Sequence, residues 1–243
     1  MEQDGSGECS PVLSVVQIMK LRADAARNRA ALVEAASSVF AEQGLDASLD
    51  EIARLAGTGN ATLYRRFPTR SDLVAAVFAD RMAEHVSAVE AGLADDDPWR
   101  GFRSYVEAVT GMQAQDRGLA DLVTMDISSA PEIEGLRRRA YEGLVRLVER
   151  ARRAGVLRAD FTDQDVVLLL MANAGLVERT PHIAVGASAR LIGLLLDGLR
   201  AEAARDAPAP PPQDDVREAM RRQGGSLERP DRMTSCPLEE HRP

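Results

Sequence analysis

The sequence predicts an all-α protein, and two observations carry that prediction. Hydrophobic residues make up 45% of the 243 residues but aromatic residues only 4%, and alanine and leucine are abundant. These residues favour helix, whereas the β-branched and aromatic runs that favour strands are scarce. In addition, segments with apolar residues at helical spacing alternate with helix start and stop signals. A succession of helices with short connections is typical of an all-α fold.

About nine helices are predicted from these signals. Gly44 is predicted to end the first helix. Ser48 and Glu51 are expected to form a capping box at the start of the second helix, and Thr69 and Asp72 a weaker box before the fourth. Proline and glycine residues mark most of the other boundaries. The predicted ranges are about 23–43, 48–56, 60–67, 69–93, 98–115, 119–125, 129–154, 163–179 and 186–204.

Charge is distributed unevenly along the chain. The formal net charge is −8, yet the run from Ile52 to Ser71 contains four arginines and no acidic residue, and it is the longest acid-free run. Residues 20–81 have a net charge of +1, and the remainder of the chain is acidic. A neutral-to-basic segment attached to an acidic body suggests a polyanionic partner.

The second and third helices are separated only by Gly57-Thr58-Gly59. Two short helices joined by a three-residue turn that contains glycine fit a helix-turn-helix. Gly57 stands where the chain leaves a helix with a positive φ angle, and Ala53 is small where the two helices would cross. We expect the shared core to consist of apolar side chains from both helices: Ile52, Leu55, Leu63 and Phe67.

The third helix has one apolar side, defined by Leu63 and Phe67, at about 100° per residue. Small, polar and basic side chains then face outward: Asn60, Ala61, Thr62, Tyr64 and Arg65. Asparagine can read a base edge, threonine and tyrosine can bind phosphates, and arginine can do either. The pattern therefore indicates a DNA-binding surface, and the alternative is an ordinary solvated face.

Residues 30–77 contain the segments LVEAASSVFAEQG, SLDEIARLAG and ATLYRRFPTRSDLVAAV, and TLYRRFPTR within the third is the most specific part. Over these residues the chain resembles the DNA-binding domain of TetR-family transcriptional regulators. The resemblance implies a homodimer whose third helix enters the major groove of a double-stranded DNA operator. It also implies a larger C-terminal helical domain that binds a small-molecule effector.

The resemblance also implies roles for individual residues. The implied phosphate contacts are Arg27, Ser48, Thr62, Tyr64 and Arg70, and the implied approach to bases is by Asn60, Ala61 and Arg65. Thr58 stands where the family usually has valine, and this near-isosteric residue is expected to preserve the turn. Arg66 is nearer the buried edge of the helix and either faces outward or pairs with Asp50 or Glu51.

The last two predicted helices are the most apolar, with the segments DVVLLLMANAGLV and ARLIGLLLDGLRA. Gly193 and Gly198 stand among leucines, where they permit close approach of another helix. In the family such helices pair with those of a second subunit, so we expect a homodimer through residues of about 163–204. Burial within one subunit is the alternative. A dimer also fits the two half-sites that this motif normally needs.

The resemblance implies an effector cavity among the fifth to eighth helices. The candidate lining residues are Trp99, Phe102, Tyr105, Met112, Met125, Tyr141 and Asn173. Core packing is the alternative for each aromatic and methionine residue, since such residues at helical spacing usually fill space. Asn173 differs because an amide in an apolar run needs a partner, which could be a ligand, a second subunit or a backbone carbonyl.

The two ends of the chain are too polar and too rich in turn formers to bury much apolar surface. We expect a disordered leader at 1–19, a helix-turn-helix domain at 20–70, a helical effector and dimerisation domain at 71–206, and a disordered tail at 207–243.

The sequence contains no GxSxG, HExxH, phosphate-loop or dinucleotide motif, which argues against an enzyme. Three dispersed histidines suggest no metal site, and no cofactor is expected. Two isolated cysteines suggest a cytoplasmic protein, and no apolar stretch is long enough for a membrane helix. The prediction is a ligand-responsive repressor that binds a palindromic operator as a homodimer and is released by an unknown effector. A helical interaction protein whose helix-turn-helix no longer binds DNA is the alternative.

Overall fold

The computed structural model describes residues 15–125 and 131–224, and over these ranges it confirms an all-α fold. Ten α-helices and one short 3-10 turn at Ala201–Ala203 are present there, and no strand is. The helices are α1 (Val15–Gln43), α2 (Leu49–Leu55), α3 (Asn60–Arg66), α4 (Arg70–Ala94), α5 (Pro98–Gln115), α6 (Arg117–Thr124), α7 (Pro131–Arg153), α8 (Asp163–Arg179), α9 (Ala184–Leu199) and α10 (Gln213–Gly224).

Several helix ends form at the residues that the sequence marks for them. The Thr69 side chain accepts a hydrogen bond from the backbone nitrogen of Asp72 (3.1 Å), and the Asp72 carboxylate accepts one from the backbone nitrogen of Thr69 (2.9 Å). The predicted capping box is therefore confirmed. Gly44 follows α1 with a φ of 87°, a conformation that glycine adopts without steric cost.

The N-terminal helices share a core with the first half of α4. Leu32 and Phe40 of α1, Ile52 of α2 and Leu63 of α3 are all buried in it. Leu55 is not part of this core, because 52% of it is exposed, so its prediction as a core residue is wrong. Leu49, Ile52 and Ala53 define the buried side of α2, and Leu55 lies roughly 110° from the centre of that side at about 100° per residue.

A second core holds the C-terminal body together. Phe102 of α5, Leu147 of α7, Val166 of α8 and Ile192 of α9 are buried in it. Two glycines allow α4 and α5 to approach closely, because a Cβ atom on Gly101 would lie 2.2 Å from the carbonyl oxygen of Gly92. The helices of the body are therefore tightly packed.

The predicted disordered ends are wrong where the structure describes them. Helix α1 begins at Val15, so it extends into the predicted leader, and α10 lies within the predicted tail. Only Val216 and Met220 give α10 an apolar side, which is too little to predict a helix from composition. Val216 is 6% exposed because α10 packs against the body, and this contact stabilises a helix that the isolated segment would not favour. Cys9, Cys236 and the Ser129 start of the seventh helix lie outside the described residues.

Candidate DNA-binding surface and ligand cavity

The turn between α2 and α3 has the geometry that the sequence predicts. Gly57 has a φ of 66°, which favours glycine strongly over other residues. The backbone nitrogen of Thr58 donates to the Ala53 carbonyl at 2.9 Å, and the Thr58 hydroxyl donates to the same oxygen at 3.5 Å. Threonine therefore preserves the turn, and it adds a hydrogen bond that valine could not make.

Helix α3 buries the predicted side and exposes the predicted face. Leu63 and Phe67 are buried, and the Arg29 guanidinium lies 5.3 Å from the centre of the Phe67 ring. Ala61 and Arg65 are exposed, Tyr64 is 39% exposed and Thr62 is half-buried. The outward face of α3 thus combines a methyl, a hydroxyl, a phenol and a guanidinium group.

Asn60, at the start of α3, is hydrogen-bonded to a residue of α2. Its side-chain nitrogen donates to the Asp50 carboxylate on α2, while the Glu51 carboxylate accepts from Gln43 at 3.2 Å. Arg66 forms no ion pair with either acid, and its Nε atom is buried without a hydrogen-bond partner among the described residues. The acid-free run in the sequence therefore does not produce an acid-free surface, because Asp50 is brought next to it by folding.

Arg70 has a structural role that the sequence does not reveal. It is half-buried in the first turn of α4, where its Nη1 atom donates to the carbonyls of Leu45 (2.8 Å) and Ala47 (2.6 Å). Bonds from a charged donor are stronger than neutral ones. Arg70 therefore ties α4 to the connection between α1 and α2, in addition to its predicted phosphate contact.

The two remaining predicted DNA contacts are exposed. Ser48 is the N-cap residue of α2, but its side chain makes no capping hydrogen bond, so the predicted box with Glu51 does not form. Its hydroxyl remains at the surface. Arg27 on α1 is exposed and pairs with Asp24, a surface contact of little energetic weight.

A cavity of about 290 Å³ lies in the body and is lined by residues of α4, α5, α6, α7, α8 and α10. Much of its lining is apolar, with Met82, Leu144, Val167, Leu170, Val216 and Met220. Two of the seven predicted pocket residues, Tyr105 and Tyr141, line it. Apolar walls with a few polar groups are typical of small-molecule sites.

Four of the other predicted pocket residues lie elsewhere. Trp99 and Phe102 are in the core of the body, with ring centres 6.0 Å apart, and Met112 packs against the N-terminal core. Met125 lines a different cavity, of about 340 Å³, next to Asp121. Helical spacing indicates that these side chains face the interior, but not which interior space each one faces.

Asn173 is fully buried and finds its partners within the protein. Its side-chain nitrogen donates to Gln113 Oε1 (2.9 Å) and its side-chain oxygen accepts from the Ser188 hydroxyl (2.7 Å). Gln113 in turn donates to the Leu170 carbonyl at 3.2 Å. The predicted need for a partner is met by a network that joins α5, α8 and α9, and Asn173 does not line the first cavity.

His85 is a cavity residue that sequence reasoning missed. It is 6% exposed, and its Nε2 atom lies 3.1 Å from the Tyr105 hydroxyl. Burial, reinforced by the positive charge of Arg137, lowers the pKa of His85 from 6.5 to about 4. Burial also raises the pKa of Tyr105. Both groups are therefore neutral near pH 7, and His85 Nδ1 has no hydrogen-bond partner among the described residues.

Helix α10 covers one side of this cavity. Val216 and Met220 contribute to its lining, and the Gln213 amide donates to the Tyr141 hydroxyl at 2.8 Å. That hydroxyl donates in turn to the Asp163 carboxylate at the start of α8. The chain Gln213–Tyr141–Asp163 thus attaches α10 to α7 and α8.

Asp121 connects the body to the DNA-binding helices. Its carboxylate accepts a hydrogen bond from the Leu45 backbone nitrogen at 2.9 Å, and Arg70 donates to the carbonyl of the same residue. Arg117 supports the contact by donating to the Glu42 carbonyl at 3.3 Å. Burial raises the pKa of Asp121 to about 6, so a charged carboxylate at this position is costly at neutral pH.

Helices α8 and α9, together with the residue that precedes α9, present apolar side chains at the surface of the single chain: Leu168, Ile183, Val185, Leu194 and Leu195. Gly193 and Gly198 face open space, since a Cβ atom on either would meet nothing within 4 Å. Exposed apolar residues beside small residues are suited to close packing with another helix.

The described helices include none that is long and apolar enough to span a membrane. Over the same residues, no group of three or more histidine, cysteine, aspartate and glutamate side chains is placed to hold a metal ion.

Two family models match the chain. One, for bacterial regulatory proteins of the tetR family, matches residues 32–77. The other, for the C-terminal domain of SbtR-like transcriptional regulators, matches residues 97–201. The first range contains α2, α3 and most of the helix-turn-helix core, and the second contains α5 to α9.

Individual proteins are similar to the chain over different lengths. A TetR transcription regulatory protein from Mycobacterium vanbaalenii is 36% identical, with 74% of this chain and 99% of that one covered and a TM-score of 0.44. A TetR-family regulator from Agrobacterium tumefaciens is 20% identical, with 73% and 100% covered and a TM-score of 0.52, and so shows the fold alone.

A curated relative matches over a shorter stretch. The HTH-type transcriptional regulator TtgW of Pseudomonas putida, described as uncharacterized, is 40% identical over 63 residues, which are 26% of this chain. The chain spans about half the length of that relative, 47%.

Proposed function

Because the chain belongs to the TetR family of transcriptional regulators, we propose that it is a repressor that binds a palindromic operator as a homodimer and is released by a small-molecule effector. Proteins of this family are DNA-binding regulators rather than enzymes. The observation that supports the proposal most directly is α3, which exposes Ala61, Tyr64 and Arg65 while Leu63 and Phe67 fix its orientation.

The proposed DNA contacts divide into two kinds. Arg27, Ser48, Thr62, Tyr64 and Arg70 contact phosphates, and Asn60, Ala61 and Arg65 approach bases. Phosphate contacts raise affinity for any DNA, whereas base contacts set sequence preference. The hydrogen bond from Asn60 to Asp50 supports a directional role for the Asn60 amide, because it restricts how the side chain can meet a base.

The proposed homodimer forms through α8 and α9. The exposed leucines of these helices and the open space above Gly193 and Gly198 support this interface. A dimer places two copies of α3 about one DNA turn apart, which a palindromic operator requires. The unknown effector occupies the cavity beneath α10. It acts by binding more tightly to a conformation of the dimer in which the distance between the two α3 helices does not match the operator. The site of action is the cytoplasm.

Selection of bound duplexes from a random DNA library tests this proposal. We expect a palindromic consensus whose affinity falls steeply with salt. Asn60→Ala should alter the consensus. Asp50→Asn, which keeps a hydrogen-bond acceptor but removes a charge, should instead strengthen binding to all DNA without altering the consensus.

Two results would contradict the proposal. Absence of salt-dependent DNA binding would favour the alternative, a helical interaction or small-molecule-binding protein with a non-functional helix-turn-helix. Equal effects of Asn60→Ala and of Arg70→Ala, which removes a proposed phosphate contact, on specific and random duplexes would remove the proposed division between base and phosphate contacts.

A further inference from the structure

The cavity beneath α10 contains a buried polar group whose hydrogen bonding is incomplete. His85 is one of the residues that line it, and its Nδ1 atom has no hydrogen-bond partner among the described residues, although the side chain is almost fully buried. Leaving a buried polar atom unpaired is costly, so such an atom on a residue that lines a cavity marks a position where a ligand group is favoured.

The Tyr105 hydroxyl determines which kind of group that is. A neutral imidazole has one nitrogen that donates and one that accepts. The buried tyrosine retains its proton, and its hydroxyl contacts His85 Nε2 at 3.1 Å. When the hydroxyl donates to Nε2, both atoms are satisfied and the histidine proton is on Nδ1. The opposite tautomer would leave the buried hydroxyl proton without this acceptor and is disfavoured. Nδ1 is thus a donor that requires an acceptor.

The charges around the cavity favour an anionic acceptor over a neutral one. Three arginines line it, Arg137, Arg138 and Arg217, against two acids, Glu134 and Asp163. Asp163 already accepts from the Tyr141 hydroxyl, so part of its hydrogen-bonding capacity is used. The positive charge of Arg137 acts directly on His85. A carboxylate that accepts from Nδ1 would also be attracted by the positive charge of Arg137.

We propose that this cavity binds a small apolar molecule with a carboxylate group, and that His85 Nδ1 donates a hydrogen bond to that carboxylate. The apolar part of the ligand contacts Met82, Leu144, Val167 and Leu170, and α10 closes over it through Val216 and Met220. A volume of about 290 Å³ accommodates a single small ligand. This inference deepens the proposed function, because it rests on the effector of that proposal occupying this cavity.

Titration calorimetry on the full-length protein with octanoate, octanol and octylamine tests the head group at constant chain length. We expect octanoate to bind at least about tenfold more tightly than either of the others, as a charge-assisted hydrogen bond would give. Equal binding of the three, tighter binding of octylamine, or no binding of octanoate would overturn the proposal. The comparison needs only the wild-type chain.

Two variants of His85 separate a ligand contact from a packing role. The amide nitrogen of His85→Asn can occupy the position of Nδ1, whereas that of His85→Gln can occupy only the position of Nε2. We therefore expect the asparagine variant to retain most of the preference for octanoate and the glutamine variant to lose it, with folding verified by circular dichroism. Full retention of the preference by both folded variants would show that His85 does not contact the carboxylate, and equal loss would overturn the assignment of the contact to Nδ1.

DNA binding distinguishes failure of this inference from failure of the proposed function. Tight operator binding together with no preference for octanoate would refute the inference and leave the repressor intact. Octanoate binding by a protein that binds no DNA would support the inference and refute the repressor.

Discussion

Arg70 shows how one side chain can serve both the fold and the proposed DNA contact. Its two hydrogen bonds to the Leu45 and Ala47 carbonyls fix the connection that precedes α2. We expect Arg70→Ala to weaken binding to every duplex, to reduce its salt dependence and also to lower the free energy of unfolding by about 1–3 kcal/mol. Urea denaturation and binding at several salt concentrations measure these effects.

Arg65→Ala is the matched control for Arg70. Arg65 is exposed on α3, so its removal should change stability by no more than about 0.5 kcal/mol while it weakens operator binding. If Arg70→Ala left stability unchanged, the hydrogen bonds to the two carbonyls would have no net effect in solution.

Asp121 gives the protein a predictable dependence on pH. Its pKa is raised to about 6 in the folded chain by burial, from an ordinary value near 3.8. Between these values the folded state binds more protons than the unfolded state, so the contribution of Asp121 to stability falls as pH rises from about 4 to about 6. Arg117, Asp46 and Glu178 lie close enough to influence this titration.

Asp121→Asn should remove that dependence and retain an acceptor for the Leu45 nitrogen. We expect the variant to be more stable than the wild type by about 1–3 kcal/mol at pH 7.5, with most of the difference lost at pH 4. Urea midpoints at the two pH values measure it. A difference that is the same at both would show that the Asp121 carboxylate is not the group responsible.

At the scale of the element, α10 packs against α8 and is hydrogen-bonded to α7. Val216 is its buried side chain, and Gln213 provides the hydrogen bond to Tyr141. Val216→Asp places a charge in an apolar contact, so we expect α10 to detach while α1 to α9 stay folded. Trypsin should then cleave more rapidly after Arg217, Arg221 and Arg222. Asp214→Asn, on the exposed side of α10, should leave the cleavage rate unchanged, and equal rates for all three proteins would contradict the docking of α10.

The sequence predicts the helices with independent local signals better than those that depend on packing. Gly57 and the Thr69–Asp72 box are visible in a few residues, and the structure confirms both. Helix α10 has no such signal, because its docking depends on a cavity that forms only when α4, α7 and α8 come together. The pairing of Asp50 with Asn60 has the same cause, since both residues are exposed and only folding brings them into contact.

The site is partly predictable for a related reason. Periodicity identifies Leu63 and Phe67 as the buried side of α3, which determines its outward face. In the body, periodicity shows only that a residue is buried. Tyr105 and Tyr141 line the cavity, whereas Trp99 and Phe102 pack in the core. No pattern in the sequence distinguishes the two pairs.

At the scale of the whole molecule, the proposed function requires two subunits. Leu194 is 54% exposed on α9, next to Gly193, which faces open space. In a dimer through α8 and α9 this surface is buried, so Leu194→Arg would place a charge in the interface at a cost of several kcal/mol. We expect the variant to sediment as a monomer and to lose the cooperative binding of two half-sites, while its unfolding remains cooperative. Asp96→Arg adds a charge to an exposed loop between α4 and α5 and should remain dimeric. A dimeric Leu194→Arg protein with unaltered operator binding would place the subunit contact on another face of the body.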